Sequence, residues 1–480
     1  MPRRHMHMTG ADGAALRAAL RELRTTLHVP GEFPAPVLAE AERAAREPRL
    51  PDLDATDIPL FTIDPPESRD LDQAMHLAKR PAGGYRVHYA IADVAAFVTP
   101  GGALDAEAHR RVNTLYFPDT KVPLHPAVLS EGAASLLPGQ TCPALLWRFD
   151  LDGAGRVEST EVRRALVRSR AKLDYDGVQQ AIDSGTADES LALLKDVGRL
   201  REALERERGG VSLNVPQQEI VARDGSFSLV YRAPLPADGW NAQISLMAGM
   251  AAAQLMLDAG AGILRTLPNA PDGAVARLRL TAKALRIDWP HHVSYAELVR
   301  SLDPHLPAHA AFLQEATTLL RGAGYTVFTD GRIPDPVVHA AVAAPYAHCT
   351  APLRRLVDRY GGELCVAAVA GAEPPQWAVS ALEALPGRMA EGGKLAAKAE
   401  RECVDLVEAA VLKDRVGETF DATVIDIEDG EPLVGTVHLE EPAVVGRVKS
   451  PSAKLPLGEL IRVRLTQANP GTAKILFAPA

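Results

Sequence analysis

The stretch TIDPPESRDLDQ, residues 62–73, decides how this chain is read. It begins in a short apolar run, Leu60–Ile63, which reads as a strand ending at Asp64. A Pro-Pro turn follows, because proline fixes φ and cannot donate to a ladder. Asp70 and Asp72 stand two apart, so on an extended segment they share one face. If the turn folds back, Asp64, Asp70 and Asp72 converge. Three carboxylates at one point repel each other or take up a proton unless a cation joins them. An all-oxygen set of this charge suits Mg²⁺ or Mn²⁺. Such ions can activate a water and stabilise the leaving oxygen in phosphodiester hydrolysis. Asp beside Pro and Ser is also ordinary turn chemistry, and spacing alone does not separate a surface loop from a metal site.

Outward from this stretch, strands are expected over Gln73–Leu77 and Tyr85–Val94, then a helix from near Leu104. Leu145–Leu151 and Arg156–Arg168 read as a hairpin across DGAGR. Helical spacing covers Asp174–Asp183, Glu189–Arg208, Asn241–Leu257 and Pro352–Ala370. A further helical stretch, broken near Pro386, ends at Asp414. Upstream, Ala15–Leu27 and Pro36–Arg46 form a small helical unit, separated by VPGEFP. After Gly417 the pattern becomes β-branched and alternating, in TFDATVID, LVGTVHL, LIRVRL and AKILFA. Several short strands in so few residues suggest a small closed barrel of the oligonucleotide-binding kind. The fold class is therefore α+β: a helical region over 1–50, a large domain of mixed sheet with surrounding helices over 51–416, and a barrel over 417–480.

The chain has 480 residues, 47% of them apolar, enough for a sizeable core. A net charge of −9 does not advertise a nucleic-acid binder, but a basic channel can sit inside an acidic shell. Basic residues cluster at Arg163, Arg164, Arg168, Arg170 and Lys172, and again at Arg354, Arg355 and Arg359. Such runs are usually solvated faces. Cys142, Cys349, Cys365 and Cys403 are scattered without ligand-like pairing, which argues against a disulfide framework or a zinc site. His348 beside Cys349 reads as core or lining, and His5, His7, His291 and His292 as ordinary exposed histidines. The start lacks the apolar stretch of a signal peptide, and no segment is apolar for the length of a membrane span. A soluble cytoplasmic monomer, with no protein partner implied, is the expectation.

In order along the chain, the 62–73 stretch, Val87–Val94, the Asn113–Asp119 and Val122–Pro126 segments, Leu129-Ser130 with Ser135-Leu136, Ala171–Asp176, Tyr346–Asp358 and Lys398–Glu402 resemble the landmarks of the ribonuclease II/R family. The resemblance runs from about Asp57 to Asp414, and the trailing barrel stands where that family carries an RNA-binding barrel. It implies an RNB-type catalytic domain in a short form without N-terminal cold-shock domains. It further implies a hydrolytic 3′→5′ exoribonuclease that degrades single-stranded RNA to nucleoside 5′-monophosphates by a metal-assisted mechanism.

On that resemblance, Asp64, Asp70, Asp72 and Gln73 take the metal positions, with Mg²⁺ or Mn²⁺ as cofactor. Asp70, Asp72 and Arg354 are the catalytic positions, Arg354 stabilising charge on the scissile phosphate. Tyr116, Tyr175, Arg354, Arg355 and Glu400 would contact RNA, the tyrosines near the 3′-terminal nucleotide. Taken alone, Tyr116 and Tyr175 also read as half-buried aromatics holding turns, and Arg354 with Arg355 as surface charge.

Three departures stand out. Gln73 replaces an Asp of the family's Asp-x-Asp-Asp, Ala242-Gln243 stand where paired Glu are usual, and Leu356 replaces a Tyr. Losing a carboxylate weakens metal binding, so a catalytically impaired RNA-binding protein is the alternative. A related nuclease acting on short oligonucleotides or single-stranded DNA is a third reading.

Overall fold

The computed structural model describes residues 14–480 apart from 224–225, 272, 429, 440 and 470–473, so His5 and His7 lie outside the described residues. Two helices, α1 (Ala14–Thr26) and α2 (Ala35–Arg46), precede β1 (Leu60–Ile63), β2 (Gln73–Lys79) and β3 (Tyr85–Ala92). Then come α3 (Ala103–Arg111), a two-strand ribbon β4 (Leu115–Tyr116) and β5 (Lys121–Val122), and a long hairpin β6 (Thr141–Leu151) and β7 (Val157–Leu173). The middle holds α4 (Tyr175–Asp183), α5 (Glu189–Glu207), the hairpin β8 (Gln217–Arg223) and β9 (Ser226–Arg232), and α6 (Pro236–Ala259). There follow β10 (Gly262–Thr266), α7 (Ala274–Ala284), α8 (Tyr295–Ser301), α9 (Pro307–Ala316) and the short strands β11 (Gly324–Phe328), β12 (Val338–His339) and β13 (Ala344–Pro345). Helices α10 (Leu356–Ala370), α11 (Gln376–Ala381) and α12 (Leu385–Leu412) lead into β14 (Thr419–Ile427), β15 (Val434–Leu439), β16 (Val444–Lys449), β17 (Leu460–Asn469) and β18 (Lys474–Pro479).

The first sheet is a closed barrel in the order β1-β2-β3-β6-β7. Closure comes from parallel pairing of β1 with β7, Phe61 opposite Ala171 and Ile63 opposite Leu173. Along β3 the side-chain period of two feeds two cores. Val87, Tyr89 and Ile91 pack with Trp147, Phe149 and residues of α5, α6 and α10. Ala90 and Ala92 face the other way, towards Leu71, Phe97 and Leu353. Fully buried Trp147 and Phe149, stacked at 5.8 Å, are each worth roughly 2–3 kcal/mol of apolar burial.

The helices before the barrel do not form a core of their own. Leu20 and Leu23 of α1, with Leu27 just after it, pack on Leu115, Phe117 and the C-terminal half of α12, and Arg24 pairs with Asp119 at 2.6 Å. Val37 and Ala41 of α2 join the Leu71 core instead. Pro386 does not interrupt a helix; it occupies the first turn of α12, where its missing N–H costs nothing.

The second closed barrel runs β14-β15-β16-β18-β17. Its two phenylalanines, Phe420 and Phe477, are buried and meet edge to face at 6.2 Å. They build the barrel and offer no stacking surface. The basic run on β7 is equally committed: Arg164 pairs with Asp93 at 2.9 Å, Arg168 donates to Thr141, and Lys172 donates to Ser68 O at 2.7 Å.

Candidate active site

Barrel closure places the first carboxylate. Asp64 follows β1, and its N–H donates to Leu173 O at 3.0 Å, tying it to the end of β7. Lys172 also donates to Pro66 O and Ser68 O, so the Pro-Pro turn is bent back over that strand end. Asp72, at the entry to β2, is only 4% exposed. Its Oδ1 accepts from Leu353 N–H at 2.8 Å and its Oδ2 from Arg354 Nε at 2.9 Å. Asp70 accepts from Lys121 Nζ at 2.8 Å, and Tyr116 O–H lies 3.4 Å from it.

Three distant segments are sewn together here. In the β4–β5 ribbon Tyr116 stands opposite Lys121. Thr114 N–H donates to Arg354 O at 3.0 Å, and Asn113 bridges Arg355, so the ribbon is anchored to the loop before α10. Tyr175 opens α4 just after Asp174, whose carboxylate caps that helix. The Tyr175 hydroxyl accepts from Asn241 Nδ2 at 3.0 Å, and the phenol feels the charges of Asp64 and Arg354.

Burial, followed by the charge of Asp72, pushes Asp64 up to about 7; Asp70 adds to this, while Arg354 and Lys172 oppose it. Burial also lifts Asp72 to about 6 against the pull of Arg354 and the Leu353 N–H. The geometry therefore brings Asp64, Asp70, Asp72, Arg354, Tyr116 and Tyr175 into one electrostatic neighbourhood. Among the described residues, however, no three His, Cys, Asp or Glu side chains stand as a ready metal cage. The reason lies in the pairing of Asp72 with Arg354 and of Asp70 with Lys121. The donor chemistry still fits a hard divalent ion. Such an ion is usually held by one or two carboxylates, with water and substrate phosphate completing its shell.

Two expected site residues are engaged elsewhere. Gln73 follows Asp72 on an extended chain, so its side chain leaves the opposite face. Its Nε2 donates to Thr350 O at 2.6 Å, and its Oε1 accepts from the fully buried Tyr89 hydroxyl at 2.6 Å. It acts as a neutral strut between β3 and the 350–355 loop. Arg355 closes both prongs on Asp358, at 2.8 and 2.7 Å, and Asp358 also accepts from Ala351 N–H. That pair locks the start of α10, and among the described residues no hydrogen bond joins it to Asp64, Asp70 or Asp72. Glu400 is half-buried on α12, the helix packed against β4. Gln243 is turned inward to Glu205 at 2.5 Å, and Ala242 is exposed.

Lys121, Asn241 and the Leu353 N–H are the contributors that motif reading passes over. Lys121 falls between two recognisable segments, and only its strand pairing with Tyr116 brings it to Asp70. A backbone donor such as Leu353 leaves no mark in residue type.

Comparison with known proteins agrees with this architecture. The RNB domain matches residues 53–367, and the RNase II-type exonuclease C-terminal S1 domain matches residues 418–480. Ribonuclease R of Aquifex aeolicus is 26% identical over 445 residues, covering 88% of this chain and 61% of that protein. Mycoplasma genitalium RNase R in complex with ribose methylated single-stranded RNA superposes with a TM-score of 0.83 at 19% identity, over 96% of this chain and 77% of that one. Yeast Ssd1, a pseudonuclease, shares the fold with a TM-score of 0.68 at 17% identity, over 93% of this chain and 54% of its own. Since the RNB domain spans most of the chain and is followed by the S1 domain, this protein belongs to the RNB-domain family of ribonucleases II and R.

Proposed function

We propose that the chain is a metal-assisted 3′→5′ exoribonuclease acting on single-stranded RNA and releasing nucleoside 5′-monophosphates. The observation that carries this reading is the buried Asp72, fixed at both oxygens by Arg354 and Leu353, beside Asp64 and Asp70 and flanked by Tyr116 and Tyr175. A bound Mg²⁺ or Mn²⁺ would polarise the phosphate and lower the pKa of a water. Asp64 and Asp70 are the carboxylates best placed to hold it. Asp72 orients Arg354 through Nε alone, and among the described residues neither Nη group has a hydrogen-bond partner, so both can meet a phosphate. Tyr116 and Tyr175 would hold the terminal nucleotide by ring contacts that tolerate any base. Arg355 acts at one remove, by fixing the loop that carries Arg354. Gln73 is left as a strut, outside the metal shell.

The similarity to ribonuclease R supports the reading, while the chain spans 61% of the Aquifex aeolicus protein's length. The second reading, an impaired RNA-binding relative, is favoured by the Gln73 amide, which brings no charge and is tied to Tyr89 and Thr350. Incubating a 5′-labelled oligoribonucleotide with Mg²⁺, Mn²⁺ or a chelator separates the two. The proposal expects a metal-dependent ladder shortening from the 3′ end. Tight binding without products in either metal favours the impaired protein.

A further inference from the structure

Arg201 and Arg208 stand seven residues apart on α5 and its C-cap, two turns along one face. Arg201 is only 5% exposed. Its Nη1 donates to Gly155 O at 3.0 Å, but its Nε has no partner. Arg208 donates from Nε to Val342 O at 2.8 Å, and its Nη2 is likewise without one. Neither makes an ion pair among the described residues. Half-buried Arg208 feels the charge of Glu205, whereas no acid acts on the buried Arg201 among the described residues, a costly state because buried charges are normally paired.

Both arginines line a cavity of about 770 Å³ between α5, α6 and the β6–β7 turn, within the size range of small-molecule sites. Met247, Met250, Ala251 and Leu255 give it an apolar wall. Its two acids already have partners: Glu207 pairs with Arg156 at 2.8 Å, and Asp258 accepts from Gln254 at 2.7 Å. None of its lining residues belongs to the carboxylate site.

We propose that this cavity is a second ligand site for a small organic anion of nucleoside-monophosphate size, its phosphate on Arg201 and Arg208 and its base against Met250 and Leu255. The planar fork of arginine suits phosphate oxygens, and methionine sulfur makes favourable contacts with aromatic rings. Inorganic phosphate alone would leave the apolar wall wet. Burial and the neighbouring Arg208 draw the Arg201 guanidinium down to about 10, a strain that an anion relieves. The inference does not depend on whether the chain hydrolyses RNA.

Titration calorimetry of the full chain carrying Asp72→Asn, with a chelator present, tests it using AMP, adenosine and inorganic phosphate. AMP is expected to bind at least about tenfold more tightly than either fragment. Arg201→Met should weaken it by about tenfold or more. Ala251→Phe should do the same by filling the cavity while leaving both arginines in place, and it decides the matter if Arg201→Met does not fold. The proposal is overturned if no probe binds, if phosphate binds as well as AMP, or if Ala251→Phe leaves AMP affinity unchanged.

Discussion

Arg354 donates from Nε to Asp72 Oδ2 at 2.9 Å across 282 positions of sequence, and the neighbouring Leu353 N–H takes the other oxygen. This one carboxylate joins the entry of β2 to the loop before α10. It also holds the Arg354 guanidinium within electrostatic reach of Asp64, which feels Asp70 as well. Lysine gathers its three donors on one nitrogen, so it cannot hold Asp72 and also set a planar fork of two separate nitrogens on a phosphate. Arg354→Lys is therefore expected to cut single-turnover cleavage by roughly 10²–10³-fold, with a much smaller change in RNA affinity. Equal losses in both would mean that Arg354 only holds substrate.

Gln73 makes a sharper distinction. Its Nε2 donates to Thr350 O, and an aspartate there would set two acceptors face to face. Gln73→Asp should lower unfolding free energy by about 1–3 kcal/mol in urea melts and should not raise turnover. A clear gain in RNA cleavage would identify the native chain as an impaired enzyme missing that acid.

Helix packing behind the site should be as sensitive as the site itself. Gly198 of α5 lies against Trp240 of α6, and a Cβ there would meet the Trp240 Cβ at 2.5 Å and the indole at 2.6 Å. Trp240 adjoins Asn241, which holds the Tyr175 hydroxyl. Gly198→Ala is expected to cost about 1–3 kcal/mol of stability by overpacking. Activity should fall more than it does in Ala242→Ser, a change at an exposed neighbour on the same helix.

Acid should weaken the fold through buried neutral histidines. Burial, aided by Arg359, draws His125 down to about 3, and burial draws His438 in the C-terminal barrel down to about 4. Unfolded, each takes a proton near pH 6.5. Stability is thus complete above that pH and falls as pH drops towards the folded values. By pH 5 each site contributes a loss of about 2 kcal/mol. Thermal melts at pH 7.5 and 5 measure it, and His438→Phe should flatten the dependence of the barrel.

Much of this was legible in residue order, for identifiable reasons. Apolar runs marked β1 to β3, the DGAGR turn marked the β6–β7 hairpin, and alternation marked four of the five C-terminal strands, because half-buried strands alternate. Closure of the first barrel was not legible, since it depends on β1 meeting β7 more than a hundred residues later. Helix α10 begins at Leu356, four residues after the helical pattern starts, because Arg355 stands extended at its N-cap, paired with Asp358, and the preceding residues turn back to reach Asp72. The 270–320 helices and β16 gave no distinct signal. The carboxylates stood out through the resemblance of their stretch to the family, since their spacing alone fits a surface loop as well, whereas Lys121 and the diversion of Gln73 required knowing which faces the strands present.

The most direct test of the account compares wild type with Asp72→Asn on a 5′-labelled single-stranded oligoribonucleotide, with Mg²⁺ and with chelator. The account predicts stepwise shortening by the wild type that stops in chelator, and at least about a thousandfold slower cleavage by a folded Asp72→Asn that still binds RNA. Cleavage that continues in chelator, or that survives the loss of the Asp72 charge, would contradict it.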